Sequence, residues 1–145
     1  METGISKTNN NNNKKNQITS VDAKMLEVLK ALQKGSTIPK PYGSEIYLFR
    51  TSIAGTQYYS AKDNIENIKE KDFLIFQREP ENPHDRRAIA VMDLNGNKFG
   101  YIPRSENKII SNLMDAGKNI YGVIADKKYY GDYINIEIKV FMRDY

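Results

Sequence analysis

The run REPENPHDRRAIAVMDLNGNKFGYIP, residues 78–103, decides how this chain is read. It opens with charge, two prolines and the only histidine of the protein, His84, beside Asp85. It turns apolar at AIAVMD, breaks at LNGN and returns as KFGYIP. Runs of β-branched and aromatic residues favour strands, and Asn95-Gly96 between them signals a tight hairpin, because both residues tolerate positive φ. Pro103 has no amide hydrogen to give a ladder, so it ends the second strand. The stretch therefore predicts a polar turn that feeds a β-hairpin.

The pattern extends on both sides. EIYLFRTSIAG and KDFLIFQRE precede the hairpin, and NIYGVIADKK and YINIEIKVFM follow it. All four read as strands. In the last one Ile134, Ile136, Ile138 and Val140 alternate with Asn135, Glu137 and Lys139, which gives one wet face. Between hairpin and final strands, SENKIISNLMDAG reads as a helix. Ser105 caps it, Ile109, Ile110, Leu113 and Met114 form its apolar face, and Gly117 closes it. Upstream, residues 19–35 read as an amphipathic helix started by Thr19 or Ser20 and ended at Gly35, with Val21, Met25, Val28, Leu29 and Leu32 on one face. Residues 36–44, containing STIPKPYG, form a proline-marked linker. Residues 1–18 contain NNNNNKKNQ, an Asn-rich tail expected to be disordered because it has no apolar area to bury. The expected fold is all-β with one or two helices: a small OB-like, partly open β-barrel over 45–145, preceded by the N-terminal helix. A β-sandwich is the alternative.

Composition narrows the function. The 145 residues contain no cysteine, which excludes disulfides, thiolate metal sites and cysteine nucleophiles. No apolar run approaches the roughly 20 residues of a membrane span, so a soluble, cytoplasmic protein with no membrane partner is expected. The net charge of +4 resides in the first part of the chain: residues 1–44 hold seven Lys/Arg and three Asp/Glu, and residues 45–145 hold fifteen of each. A neutral domain attracts nucleic acid through a local patch, not through its overall field.

Candidate site residues cluster around the polar turn. Five of the ten tyrosines, in Tyr58-Tyr59 and in YYGDY at 129–133, sit beside turns or strand ends. Aromatic faces there suit stacked bases, although tyrosine also fits ordinary half-buried sheet. Adjacent residues on a strand point to opposite faces, so one of Tyr58 and Tyr59 is expected to face a given pocket. Asn82 and Asp85 in N-P-x-D suit a turn, since such side chains bond nearby backbone amides. Arg78, Arg104 and one of Arg86 and Arg87 could form a cationic rim, or pair with Glu79, Glu81 and Glu106 as surface ions do. Glu79, Glu81, His84 and Asp85 make a poor transition-metal set, with one histidine and no thiolate. No nucleophile turn of the G-x-S-x-G kind and no G-x-x-x-x-G-K-[ST] loop is present. No catalytic residue, metal or cofactor is assigned.

Three ordered motifs then carry a resemblance. IAGTQYY, REPENPHDRRAI and GYIP followed by a helix resemble the HIRAN domain, over about residues 45–143. That family occurs within Swi/Snf-type DNA translocases and as small stand-alone bacterial proteins. The resemblance implies an OB-like barrel that binds the 3′ end of single-stranded DNA. It implies that Tyr58 and Tyr59 supply the aromatic pair, that Asn82, His84 and Asp85 form the NP-x-D turn, and that Asp85 receives the terminal hydroxyl. Tyr101 and Arg104 fall on the strand end that touches phosphate, with Arg86 or Arg87 nearby, and Tyr133 matches an aromatic of the last strand. Gln57 stands where DNA-binding members place a basic residue. His84 stands where they commonly carry tyrosine, and it brings hydrogen bonding or a pH-dependent charge instead.

The expected function is a non-catalytic DNA-end-binding module, with a helicase or DNA-repair protein as partner. The alternative is a protein-interaction or regulatory module that docks, or forms a homo-oligomer, through residues 21–34.

Overall fold

The computed structural model describes residues 20–35, 44–59 and 65–144. Each expected strand is present. They are β1 (Ser44–Ser52), β2 (Phe73–Arg78), β3 (Ile89–Met92), β4 (Lys98–Tyr101), β5 (Asn119–Tyr130) and β6 (Tyr133–Asp144). All pairings are antiparallel, in one sheet of order β1-β6-β5-β2-β3-β4. A single sheet rules out the sandwich. β5 and β6 are twelve residues each, longer than the short strands expected.

The sheet curls until its two edges touch. Just past β1, Ala54 N donates to Tyr101 O at 2.8 Å and Tyr101 N donates to Ala54 O at 2.9 Å. One residue earlier, Ile53 N donates to Ile136 O at 2.9 Å, so the same segment holds β6 as well. This contact converts an open sheet into a half-open barrel. Gly100 makes it possible. Its φ is +154°, and a Cβ there would be driven into the Ala54 carbonyl oxygen and lie 2.7 Å from Ile53 Cγ2. Only a residue without a Cβ lets the two edges meet.

The barrel interior is filled by the alternating positions read from the sequence. Ile134, Ile136, Ile138 and Val140 are all buried and pack with Phe76 and Phe99. The β3–β4 hairpin forms, but its turn is longer than the Asn95-Gly96 dipeptide. Asp93 organises it: Asp93 Oδ1 accepts from Asn95 N at 2.9 Å and from Asn97 N at 2.8 Å.

The second helix, α2 (Asn107–Asp115), starts later than expected. Ser105 does not cap it. The chain leaves β4 through a turn closed by Glu106 N donating to Pro103 O, which puts Glu106 at the N-cap without a side-chain bond. The inward stripe is Asn107, Ile110, Ser111 and Met114, with Leu113 also packed on the core, while Ile109 falls off it and is 68% exposed. Gly117, at φ +92°, ends the helix, with Gly117 N donating to Met114 O and Lys118 N to Leu113 O.

The N-terminal helix, α1 (Ser20–Gln33), covers the outer face of the sheet. Met25 and Leu29 are buried against Tyr121, with Phe73, Val123 and Phe141 around them. These sheet residues alternate with the inward ones, so the two sides of the sheet carry separate cores. The Gln33 amide pins the contact: its Nε2 donates to Asp72 Oδ1 at 3.0 Å, and its Oε1 accepts from Phe73 N at 2.9 Å. The apolar stripe read in residues 21–34 is thus used, at Met25 and Leu29, on the chain's own sheet. The Asn-rich tail, Thr19 and residues 36–43 of the linker lie outside the described residues.

Two stability outcomes follow. Leu29→Ala should cost about 2–5 kcal/mol, as a fully buried leucine does, in denaturant unfolding; a loss under about 0.5 kcal/mol would show that α1 is not integral to the domain. Gly100→Ala should cost about 1–3 kcal/mol or more, the range of local backbone strain; wild-type stability would contradict the closure described above.

Candidate functional site

The edge contact brings two turns face to face. The first follows β1. Gly55 starts a 3₁₀ turn, Thr56–Tyr58, in which Thr56 is buried and its Oγ1 donates to Ile134 O at 2.7 Å. Tyr58 ends the 3₁₀ turn and Tyr59 follows it in extended backbone, so the two do not alternate as neighbours on a regular strand do. Both line the hollow beside this turn, against the expectation from strand alternation that only one would. Tyr58 is 76% exposed, whereas Tyr59 is half-buried.

The second turn, residues 79–88, is held by its own side chains. Asn82 Oδ1 accepts from His84 N at 2.8 Å and from Asp85 N at 3.2 Å. Asp85 Oδ1 accepts from Arg87 N at 2.9 Å, and Asp85 Oδ2 from Asn107 Nδ2 of α2 at 2.8 Å. Arg104 Nη2 donates to His84 O at 2.8 Å, and its Nε lies 3.7 Å from Asp85 Oδ2.

Between the turns lies a hollow of about 250 Å³. Tyr58, Tyr59, Asn82, His84, Asp85, Tyr101 and Arg104 line it, with the small surfaces of Ala54, Gly55 and Ala88. Of the expected site residues, four do not line it. Gln57, Arg86 and Arg87 are exposed on the turns outside its lining, and Tyr133 sits at the β5–β6 turn with its ring 6.5 Å from Tyr130. Arg78 is not on the rim either: its Nε pairs with Asp115 Oδ1 at 2.9 Å and its Nη1 donates to Ala88 O, which ties β2 to α2 and the turn.

A polar cluster supports Tyr59: the sequence named Tyr101 and Glu79 in other roles and did not single out Lys98. Tyr101 Oη donates to Glu79 Oε1 at 2.7 Å and accepts from Lys98 Nζ at 3.0 Å, while Lys98 Nζ also donates to Glu79 Oε2 at 2.9 Å. The ammonium lies 5.3 Å from the Tyr59 ring centroid and 4.9 Å from that of Tyr101, and the two rings meet edge to face at 5.7 Å. Burial alone would raise the Glu79 pKa, but hydrogen bonds from Tyr101, Asn82 and Lys98 outweigh it and hold the carboxyl below its usual range. Burial, reinforced by Glu79, pushes the Tyr101 phenol well above its ordinary value, so it stays a neutral donor. The Arg87 amide, then the Asn107 side chain, hold the Asp85 pKa below the usual carboxylate range, with Arg104 adding charge. Asp85 is thus a fixed anion at the hollow's wall.

The fold and this hollow define a six-stranded antiparallel half-barrel with an aromatic and charged pocket where its edges close. The chain belongs to the HIRAN domain family, whose model matches residues 46–141. It is 35% identical over 66 residues to helicase-like transcription factor from Mus musculus, covering 46% of this chain and 6% of that protein. The chain therefore spans a small fraction of the curated relatives it matches. In fold it is similar to a protein of Lactobacillus plantarum, with a TM-score of 0.65, 24% identity, and coverage of 70% of this chain and 98% of that one. It is also similar to the crystallised HIRAN domain of human HLTF, with a TM-score of 0.51, 22% identity, and coverage of 70% and 82%. An HLTF HIRAN domain has been solved by NMR in its DNA-bound conformation as well. Among the described residues, no helix is long and apolar enough to cross a membrane.

The depressed Asp85 pKa has a testable sign. Its contribution to stability is present above the ordinary aspartate value of about 3.9 and is lost as pH falls through the lower folded value. Asp85→Asn also sets two amide donors against each other at Asn107. The variant should be less stable than wild type near neutral pH, and the gap should narrow below about pH 4. A gap that stays constant with pH would remove the anionic Asp85.

Proposed function

We propose that this HIRAN domain binds the 3′ end of single-stranded DNA, with the terminal nucleotide in the hollow between the two turns. The observation that carries the reading is convergence: Tyr58 and Tyr59, His84 and Asp85, and Arg104 come from three separate segments and line one cavity. Membership of the HIRAN family, in which the HLTF domain has a DNA-bound conformation, supports DNA as the ligand.

The residues divide the work by chemistry. The rings of Tyr58, Tyr59 and His84 offer faces for the last base or two. Asp85 accepts the terminal hydroxyl and repels a terminal phosphate, which gives end selectivity more than raw affinity. Arg104, 71% exposed at its side chain, reaches the nearest phosphate, while Asn82 and Tyr101 shape the wall. Gln57, Arg86, Arg87 and Tyr133 would meet the strand outside the hollow. Since residues 45–145 carry equal numbers of cations and anions, most of the affinity comes from stacking and a few placed contacts. In this reading the domain performs no chemistry. It acts in the cytoplasm beside a helicase or repair protein that exposes the strand end.

Fluorescence anisotropy with labelled oligonucleotides tests it. Binding should be about tenfold or more tighter to a 3′-hydroxyl end than to a 3′-phosphate end. Tyr59→Ala should weaken binding by the loss of a base stack, roughly 1–3 kcal/mol. Arg104→Ala should lower the salt dependence by about one phosphate contact. Equal affinity for both ends would remove the role of Asp85, and absence of binding at low salt, where phosphate contacts are strongest, would remove the DNA reading.

A further inference from the structure

We infer that the tip of the β5–β6 hairpin is a second stacking surface, which takes bases further along the strand whose end lies in the hollow. This rests on the DNA reading of the hollow and extends it to a longer footprint. Seven large apolar or aromatic side chains are exposed among the described residues, and four of them are at this end of the barrel: Tyr58, Tyr129, Tyr130 and Tyr133. Tyr129, Tyr130 and Tyr133 are 55%, 58% and 41% exposed. Such clustering on a soluble surface marks an interaction site, whereas scattered exposed rings do not.

The tip is built on to the hollow's own aromatic turn. Thr56 Oγ1 donates to Ile134 O, one residue from Tyr133, and Thr56 begins the turn that carries Tyr58. The hairpin arms end in the directly opposed pair Tyr130 and Tyr133, whose rings lie 6.5 Å apart and 33° from parallel. Ile134 points into the core, so Tyr133 points outward, and its cross-strand partner Tyr130 shares that face. In this inference a strand leaves the hollow past Tyr58 and continues over these rings, beside the turn that Thr56 ties to Ile134.

The charge around the tip indicates how it would bind. Lys128 lies 3.9 Å from Asp126, Lys127 Nζ donates to Ile68 O, and Asp132 sits in the turn itself. Cations and anions offset one another there, so the surface offers ring faces without a net positive field. Every base has a π-face, and aromatic platforms of this kind accept any sequence.

The test compares a trinucleotide with an oligonucleotide of about twelve residues, within the site sizes of OB-type folds, both with free 3′-hydroxyls. The full chain, Tyr130→Ala and Tyr130→Phe are measured over a range of salt. The full chain should bind the longer strand more tightly. Tyr130→Ala should lose about fivefold or more on the longer strand alone, with an unchanged salt slope and unchanged trinucleotide binding. Tyr130→Phe should retain wild-type affinity for both. Equal affinity of the full chain for the two lengths would overturn the inference, and so would a Tyr130→Ala effect on both lengths or on neither; the patch would then serve a protein. Failure of the full chain to bind either length would overturn the reading of the hollow, and this inference with it.

Discussion

The two hydrogen bonds between Ala54 and Tyr101 are the contact on which the rest of the molecule depends. They join the far edges of a six-stranded sheet, and they do so next to both turns that build the hollow. The approach is possible because Gly100 has no side chain to oppose the Ala54 carbonyl. Without it, the turn that carries Tyr58 and Tyr59 would stay tied to β6 through Ile53 and Thr56 but lose its bond to β4, beside the turn that holds His84 and Asp85. Closure of the fold and assembly of the site are one event, so a change at a backbone position with no chemistry of its own can abolish the site.

The hollow is also held by its own hydrogen bonds. Its polar groups are bonded to the protein before any ligand arrives. Asp85 is fixed by an amide of its own turn and by Asn107 of α2, and Asn82 holds the two amides that follow. Tyr59 rests against a cluster in which Lys98 and Glu79 satisfy each other and the Tyr101 hydroxyl. Such preorganisation lowers the ordering cost of binding. For the proposed DNA ligand it also suits a neutral domain, which has no broad positive field to capture a polyanion.

Much of this was legible in the sequence, and the parts that were not share a cause. Alternation in YINIEIKVFM gave the inward face of β6, and the stripe containing Met25 and Leu29 gave a helix that needed a partner surface. The NPHD turn was readable because Asn and Asp side chains act on their own backbone within a few residues. By contrast, the Tyr58-Tyr59 pair was read with strand geometry, and the 3₁₀ turn that overrides it is fixed by Thr56 bonding a residue 78 positions away. Ser105 was expected to cap α2, but the turn after Pro103 placed Glu106 there. Lys98 and Asn107 gave no local signal, and Glu79 was read only as an arginine's ion-pair partner or a poor metal ligand, because their roles exist only after β2, β4 and α2 are packed together. Short-range chemistry could be read along the chain, and contacts that depend on closure could not.

The most direct test of the central claim is an amide chemical-shift titration of the ¹⁵N-labelled chain with a single-stranded oligonucleotide bearing a 3′-hydroxyl. The account predicts that the largest shifts fall on Gly55, Tyr58, Tyr59, His84, Asp85 and Arg104, on both turns at once. Shifts confined to the β1 and α2 side of the barrel, or to one turn without the other, would contradict it.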